Sequence, residues 1–104
     1  MSTFVKVATR GELPDGGKKV LDIAGRAVAL IHVNGKFHAI DDVCTHDGGP
    51  LAEGELIDGE IQCPRHGARF DLNTGRPLCM PAIEPVTVHT VDVRGDDIYV
   101  AVQD

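Results

Sequence analysis

Apolar and polar residues alternate along both ends of the chain, in the pattern of half-buried β-strands. Arg26–Val33 is a β-rich run, and Asn34-Gly35 separates it from a second run at Lys36–Asp41. An Asn-Gly pair between two such runs is the strongest short signal for a β-hairpin. A further strand is expected just before them at residues 20–23, with Ala24-Gly25 as the connecting turn.

The C-terminal end repeats this pattern. Residues 86–93 form a second strand run, Arg94-Gly95-Asp96 turns the chain, and alternate apolar residues follow at Ile98, Val100 and Val102. Residues 4–7 are expected to form an edge strand, and helix signals are weak throughout. Short strands joined by tight turns predict an all-β fold, a small sandwich or barrel.

The middle of the chain has a different character. Six of the twelve glycines lie between Cys44 and Met80, together with three prolines. Such a composition is typical of loops with unusual backbone dihedrals, and only short strands fit, at residues 55–57, 60–62 and 69–72. We therefore predict one domain over residues 1–104. A β base of about 1–43 and 81–104 is interrupted by a loop-rich insert of about 44–80 that carries the chemistry.

Composition narrows the function classes. The 104 residues suffice for one hydrophobic core. A composition of 42% apolar and 25% charged residues is typical of a globular protein. A net charge of −6 argues against nucleic acid and anionic membranes and favours a protein partner with a basic face. No apolar run approaches the ~20 residues of a membrane span. With no signal-peptide pattern and an odd number of cysteines, a cytoplasmic protein without a disulfide framework is expected.

Two fragments of the insert carry metal-ligand chemistry. They are Cys44-Thr45-His46 and Cys63-Pro64-Arg65-His66-Gly67. Two thiolates can hold one iron and two imidazoles the other, which is the arrangement of a Rieske [2Fe–2S] centre. A structural Cys₂His₂ zinc site is the main alternative, although zinc modules usually keep like ligands together on one loop. The remaining histidines receive no functional role: His32, His38 and His89.

With these motifs the chain resembles the Rieske [2Fe–2S] family, and most closely the small ferredoxins of bacterial ring-hydroxylating dioxygenases. It is also similar to the small subunit of assimilatory nitrite reductase. The run from His66 to Asp71 and the later Gly75 match the family, and residues 77–81 lie where it has a proline-containing loop over the cluster. The resemblance implies one cluster, an electron carrier without catalytic residues, and four ligands: Cys44, His46, Cys63 and His66.

Departures from the respiratory members of the family are informative. Gly49 and Arg65 occupy the positions of their loop-linking disulfide, and Ala68 and Phe70 occupy those of a Ser and a Tyr that donate to cluster sulfur. The resemblance therefore favours the ferredoxin group, with a reduction potential below zero. Cys79 is not needed as a ligand and is expected to be a free thiol.

The sequence thus predicts a monomeric carrier that passes single electrons from a flavin-dependent reductase to a terminal oxygenase. Three alternatives stay open: a nitrite reductase subunit, a Rieske ferredoxin of another metabolic system, and a zinc-stabilised binding module. The carboxylates near the ligand motifs are candidates for contacts behind the ligands or for charge at the rim of the site, and the default expectation is that they are solvated loop side chains. They are Asp41, Asp42, Asp47 and Asp71.

Overall fold

The computed structural model describes residues 3–43, 49–64, 67–78 and 84–102. The regular secondary structure of these residues is almost exclusively β-strand, so the predicted all-β class is confirmed. Among them, no helix is long and apolar enough to cross a membrane. The strands are β1 (Phe4–Thr9), β2 (Lys18–Ile23), β3 (Arg26–Val33), β4 (Lys36–Asp41), β5 (Glu55–Ile57), β6 (Glu60–Gln62), β7 (Arg69–Asp71), β8 (Val88–Arg94) and β9 (Asp97–Ala101).

The strands are arranged in two antiparallel sheets. One has six strands in the order β1-β9-β8-β4-β3-β2, and the other has three in the order β5-β6-β7. Ala8 of edge strand β1 and Ile23 of the opposite edge strand β2 belong to the same buried cluster. The larger sheet therefore curls on itself into an incompletely closed barrel. We call this sheet the base, and the segment between β4 and β8 the insert.

Left-handed turns set the register of three hairpins. The turn pairs are Ala24-Gly25, Asn34-Gly35 and Asp58-Gly59, and in each pair both residues have positive φ, for example 52° and 77° at Asn34 and Gly35. Two consecutive positive φ values are required by the type I′ turn, whose twist matches that of the flanking strands. The predicted hairpin thus forms with Val33 paired to Lys36.

Strands β3 and β4 are buried on both faces. Val28 and Leu30 point into the barrel core, whereas Ala29 and Ile31 belong to a second cluster shared with the insert. Successive side chains of a strand point to opposite faces, so one hairpin contributes to two cores. The insert supplies most of the second cluster, namely Leu51, Ala52, Ile61, Cys63, Ala68, Phe70 and Leu72.

Two glycines allow close backbone approach at the edges of the insert. A Cβ atom on Gly75 would lie 2.0 Å from the carbonyl oxygen of Val86, and one on Gly54 would lie 1.8 Å from that of Gln62. Lys18 of β2 also donates from its ammonium group to the carbonyl of Gly54, which ties the base to the insert. These contacts depend on residues without a side chain at both positions.

A short 3₁₀ helix, Arg10–Glu12, was not predicted. The backbone N–H of Thr9 donates to Glu12 Oε2 at 2.6 Å, and the Thr9 hydroxyl donates to the same oxygen at 3.0 Å. The same two contacts hold the pKa of Glu12 below its ordinary value. A Thr followed three positions later by Glu is a recognised signal for such a turn.

Three polar residues link β3, β4 and β8 where the insert begins. Asp41 Oδ2 accepts a hydrogen bond from Arg26 Nη2 at 2.8 Å, and Asp41 Oδ1 lies 2.8 Å from Nε2 of His89, whose side chain is fully buried. Burial raises the pKa of Asp41, but the contacts with Arg26 and His89 outweigh it and hold the pKa below the ordinary value of 3.8.

This ion pair predicts an acid-dependent contribution to stability. Because the pKa of Asp41 is lower in the folded state, its contribution is complete above 3.8 and is lost as pH falls through the folded pKa. The difference in free energy of unfolding between wild type and Asp41→Asn should therefore be constant at higher pH and shrink as pH falls below 3.8. Urea titrations followed by circular dichroism would measure it, and a difference that stays constant below this pH would contradict the assignment.

Candidate functional site

Cys63 is the predicted ligand that the structure describes. It follows β6 directly, is 1% exposed, and forms no disulfide within the described part of the chain. The other predicted ligands, Cys44, His46 and His66, lie outside the described residues, as does Cys79. A cavity of about 270 Å³ opens beside Cys63 and is lined by Glu53, Gly54, Glu55, Gln62, Cys63, Pro64 and Gly67.

Backbone hydrogen bonds close the segment that starts at Cys63. The N–H of Cys63 donates to the carbonyl of Ala68 at 2.6 Å, and the N–H of Gly67 donates to the carbonyl of Cys63 at 3.1 Å. Gly67 has a φ of +75°, a region that glycine adopts without a steric cost. These two bonds hold the backbone of Cys63 against Gly67 and Ala68.

The segment that contains the first motif is closed in a different way. Asp42 follows β4, and its Oδ1 accepts the backbone N–H groups of Leu51 at 2.8 Å and Ala52 at 2.7 Å. Leu51 and Ala52 belong to the same buried cluster as Cys63 and Ala68. The described bases of both motif-bearing segments are therefore packed together.

Apolar residues surround the Cys63 position. Ala68 and Phe70 are both fully buried in the cluster that contains Cys63. Neither side chain has a hydroxyl that could donate to a nearby sulfur. A buried thiol in such surroundings can bind a soft metal centre as a thiolate, because the metal stabilises the charged form.

The default interpretation of the nearby acids as solvated loop carboxylates is wrong for Asp41 and Asp42, whose contacts are partly buried, whereas the hydrogen bonds of Asp71 are exposed. Asp41 pairs with Arg26 and His89, and Asp42 accepts two backbone N–H groups. Asp71 Oδ1 accepts the N–H groups of Asn73 at 2.7 Å and Thr74 at 3.1 Å, forming an Asx turn. Asp42 and Asp71 thus organise backbone and Asp41 joins two side chains, while Asp47 lies outside the described residues.

The three histidines without a predicted role have structural contacts. His89 pairs with Asp41, and His32 contacts the carbonyl of Leu13 through Nδ1 at 2.8 Å. Burial lowers the pKa of His38, which also hydrogen-bonds the backbone of Leu72 in the insert. Within the described ranges, no three His, Cys, Asp or Glu side chains lie close enough to hold a metal ion.

Sequence reasoning missed how residues outside the motifs support the site. Lys18 and Gly54 were not singled out, and for Asp42 and Gly75, which were, the backbone contacts were not foreseen. The position of Asp42, two residues before the first motif, is the one signal that could have indicated a loop-closing acceptor, since Asp commonly bonds backbone N–H groups.

A family model decides the assignment. The model described as the Rieske [2Fe–2S] domain matches residues 3–102. The chain belongs to the Rieske [2Fe–2S] family. A Rieske domain carries a [2Fe–2S] cluster with two histidine ligands on one iron. The buried Cys63 thiol and the two closed segments packed around it fit that group.

Two relatives of this Rieske domain are named as ferredoxins of dioxygenases. It is 40% identical to the "3-phenylpropionate/cinnamic acid dioxygenase ferredoxin subunit" of Photorhabdus laumondii, over 94% of this chain and 93% of that protein. Among solved structures it is similar to the ferredoxin of carbazole 1,9a-dioxygenase from Nocardioides aromaticivorans IC177. That match has 35% identity, a TM-score of 0.92, and coverage of 97% of this chain and 99% of the other.

A third similarity involves a complex. The structure is that of reduced oxygenase and oxidized ferredoxin in carbazole 1,9a-dioxygenase, matched at 33% identity and a TM-score of 0.88, over 94% of this chain and 92% of the matched chain. Together with the family match, these ferredoxins identify the Rieske domain as an electron carrier. The prediction of a [2Fe–2S] carrier is confirmed, and a zinc-stabilised module is disfavoured.

Proposed function

We propose that this protein is the ferredoxin component of a multicomponent ring-hydroxylating dioxygenase. It accepts one electron at a time from a flavin-dependent ferredoxin reductase and passes it to a terminal oxygenase. The observation that carries this function is the buried Cys63 thiol, held where two closed segments meet. The chain is 40% identical to a dioxygenase ferredoxin subunit over 94% of its length.

The four ligands are part of the proposal. Cys44 and Cys63 bind one iron as thiolates, and His46 and His66 bind the other through ring nitrogens. The burial of Cys63 supports a thiolate end turned away from solvent. The outer nitrogens of the two histidines then form the route by which electrons leave toward a partner.

The domain organisation and setting complete the proposal. We treat residues 1–104 as a single Rieske domain, with a base of about 1–43 and 81–104 and an insert of about 44–80. The two separate sheets and the family match over residues 3–102 support this division. The protein functions as a monomer in the cytoplasm, where a reducing environment keeps ligand thiols available.

Two of the alternative functions receive less support. Two curated relatives, each 40% identical to this chain, carry the name of a dioxygenase ferredoxin subunit. None of the described features requires a larger enzyme to complete the fold, since both buried clusters are formed within the chain. A nitrite reductase subunit and a Rieske ferredoxin of another system are therefore second to the dioxygenase function.

Reconstitution tests the function directly. The purified protein should contain two irons and two acid-labile sulfides per chain and give a Rieske EPR signal when reduced. Mixed with a ring-hydroxylating terminal oxygenase, the reduced protein should be oxidised in a single exponential phase. A protein that lacks the signal, or that is not oxidised by such oxygenases but reduces a nitrite reductase, would overturn the proposal.

Electron transfer to protein partners should depend on salt. The net charge is −6, and exposed acids of the insert include Glu53, Glu55 and Asp58. As ionic strength rises from about 0.01 M to 0.15 M, the Debye length falls from about 30 Å to about 8 Å. The second-order rate with a reductase or an oxygenase should then fall roughly tenfold.

Two variants that each remove one negative charge show which part of the surface causes the salt dependence. Glu53→Gln removes one negative charge beside the Cys63 cavity, whereas Asp96→Asn removes one from the exposed β8–β9 turn of the base. Stopped-flow measurements should show a lower rate and a weaker salt dependence for Glu53→Gln than for Asp96→Asn. A rate that is independent of ionic strength would rule out electrostatic docking.

A further inference from the structure

Asp42 joins two points of the chain that are far apart in sequence. Its Oδ1 accepts hydrogen bonds from the N–H groups of Leu51, nine positions later, and Ala52, ten positions later. Both distances, 2.8 Å and 2.7 Å, are at the short end of the range for N–H···O bonds. The intervening chain carries the first ligand motif, so a single side-chain oxygen closes the segment that contains it.

Both ends of this closure are anchored. The backbone N–H of Asp42 donates to the carbonyl of Ala27 in β3 at 2.9 Å, and that of Asp41 donates to the carbonyl of Thr87 at 3.0 Å. On the other side, Leu51 is fully buried and Ala52 is 9% exposed. An acceptor fixed to the base thus holds two donors fixed in the core of the insert.

We propose that Asp42 is a positioning residue for the cluster, which acts through the backbone of Leu51 and Ala52 to set the spacing of the first ligand segment. This role rests on the proposed function, since it concerns the proposed ligands Cys44 and His46. It requires an acceptor oxygen with two lone pairs and does not require a negative charge. An asparagine carbonyl oxygen meets that requirement, whereas alanine does not.

A pair of variants with equal charge separates the two requirements. Asp42→Asn and Asp42→Ala both remove one negative charge, so a difference between them reflects hydrogen bonding. We expect the holoprotein half-life against cluster loss, followed by visible absorbance with excess iron chelator, to fall at least tenfold in Asp42→Ala. It should stay within about twofold of wild type in Asp42→Asn. The EPR spectrum of reduced Asp42→Ala should broaden, and that of Asp42→Asn should keep its width.

Asp71 provides a matched control. Its Oδ1 also accepts two backbone N–H groups, but within a turn of consecutive residues that contains no proposed ligand. Asp71→Ala should lower the free energy of unfolding without broadening the EPR spectrum. Equal broadening in Asp42→Ala and Asp71→Ala would reduce Asp42 to a general contributor to folding and would overturn the proposed role.

Hydrogen exchange keeps the test decisive if Asp42→Ala does not fold. In the wild-type holoprotein the amides of Leu51 and Ala52 should be protected as strongly as those of β3. Fast exchange at both amides would contradict the closure, and so would Asp42→Asn behaving as Asp42→Ala. Failure of the proposed function would look different, because the wild-type protein itself would then show no Rieske signal or would not be oxidised by a ring-hydroxylating oxygenase.

Discussion

A Cys63→Ser variant should be isolated without its [2Fe–2S] cluster but with the six-stranded sheet intact. The hydroxyl of serine is a far poorer ligand for iron than a thiolate, and metal binding supplies stability that glycine-rich loops cannot obtain from apolar burial. The barrel core should survive, because its buried residues come from the base alone. The proposed ligand variants Cys44→Ser and His66→Ala should behave in the same way.

Iron content, EPR and amide exchange would measure this result. Amides of β5–β7 should lose at least tenfold in protection, which corresponds to about 1.4 kcal/mol, while those of β2–β4 keep theirs. Cys79→Ser is the control and should retain the cluster. Equal protection of the insert in apoprotein and holoprotein would show that the cluster does not support the insert.

Gly75→Ala should be among the most destabilising single-methyl additions in the chain. The new Cβ would lie 2.0 Å from the carbonyl oxygen of Val86 and 3.0 Å from a methyl group of Val88, at a φ of +78°. The backbone at the return from insert to base would have to move. Overpacking and left-handed strain each cost about 1–3 kcal/mol, so we expect a loss of about 3 kcal/mol or more.

Gly59→Ala separates these two causes. Gly59 has nearly the same dihedral, with a φ of +79°, but no heavy atom lies within 4 Å of its added Cβ. Its substitution should cost only the left-handed strain of about 1–3 kcal/mol. Urea unfolding of the holoproteins would measure both, and equal losses would show that the contact with Val86 yields without cost.

The hairpins could be predicted because their signals are local. Asn34-Gly35 determines the β3–β4 turn within two residues, and the predicted bounds of β3 and β4 coincide with those of the structure. Strand β8 starts at Val88 instead of the predicted residue 86, because the N–H of Val86 bonds to the carbonyl of Gly75 and not to a neighbouring strand. The local pattern of apolar and polar residues does not reveal a hydrogen bond between residues this far apart in sequence.

The candidate site likewise has one part that the local sequence predicts and another part that it does not. The Cys-x-His and Cys-x-x-His motifs indicate the cluster because ligand identity is a matter of residue type and spacing. The support of the site could not be predicted, because Asp42 and Lys18 act on backbone groups of Leu51 and Gly54 that are distant in sequence. Edge strand β1 was also predicted too short, since a shift in register between Lys6 and Ala8 breaks its alternation.

The insert leaves the base and returns to it at adjacent strands. Strands β4 and β8 are hydrogen-bonded neighbours, with Ala39 opposite His89 and Ile40 opposite Val88. The entire insert is thus a connection between two neighbouring strands of the base. The entropy of closing such a connection grows only with the logarithm of its length, by about 0.6 kcal/mol for each doubling. Insertions or deletions between β4 and β8 can therefore reshape the insert while the barrel remains a constant scaffold.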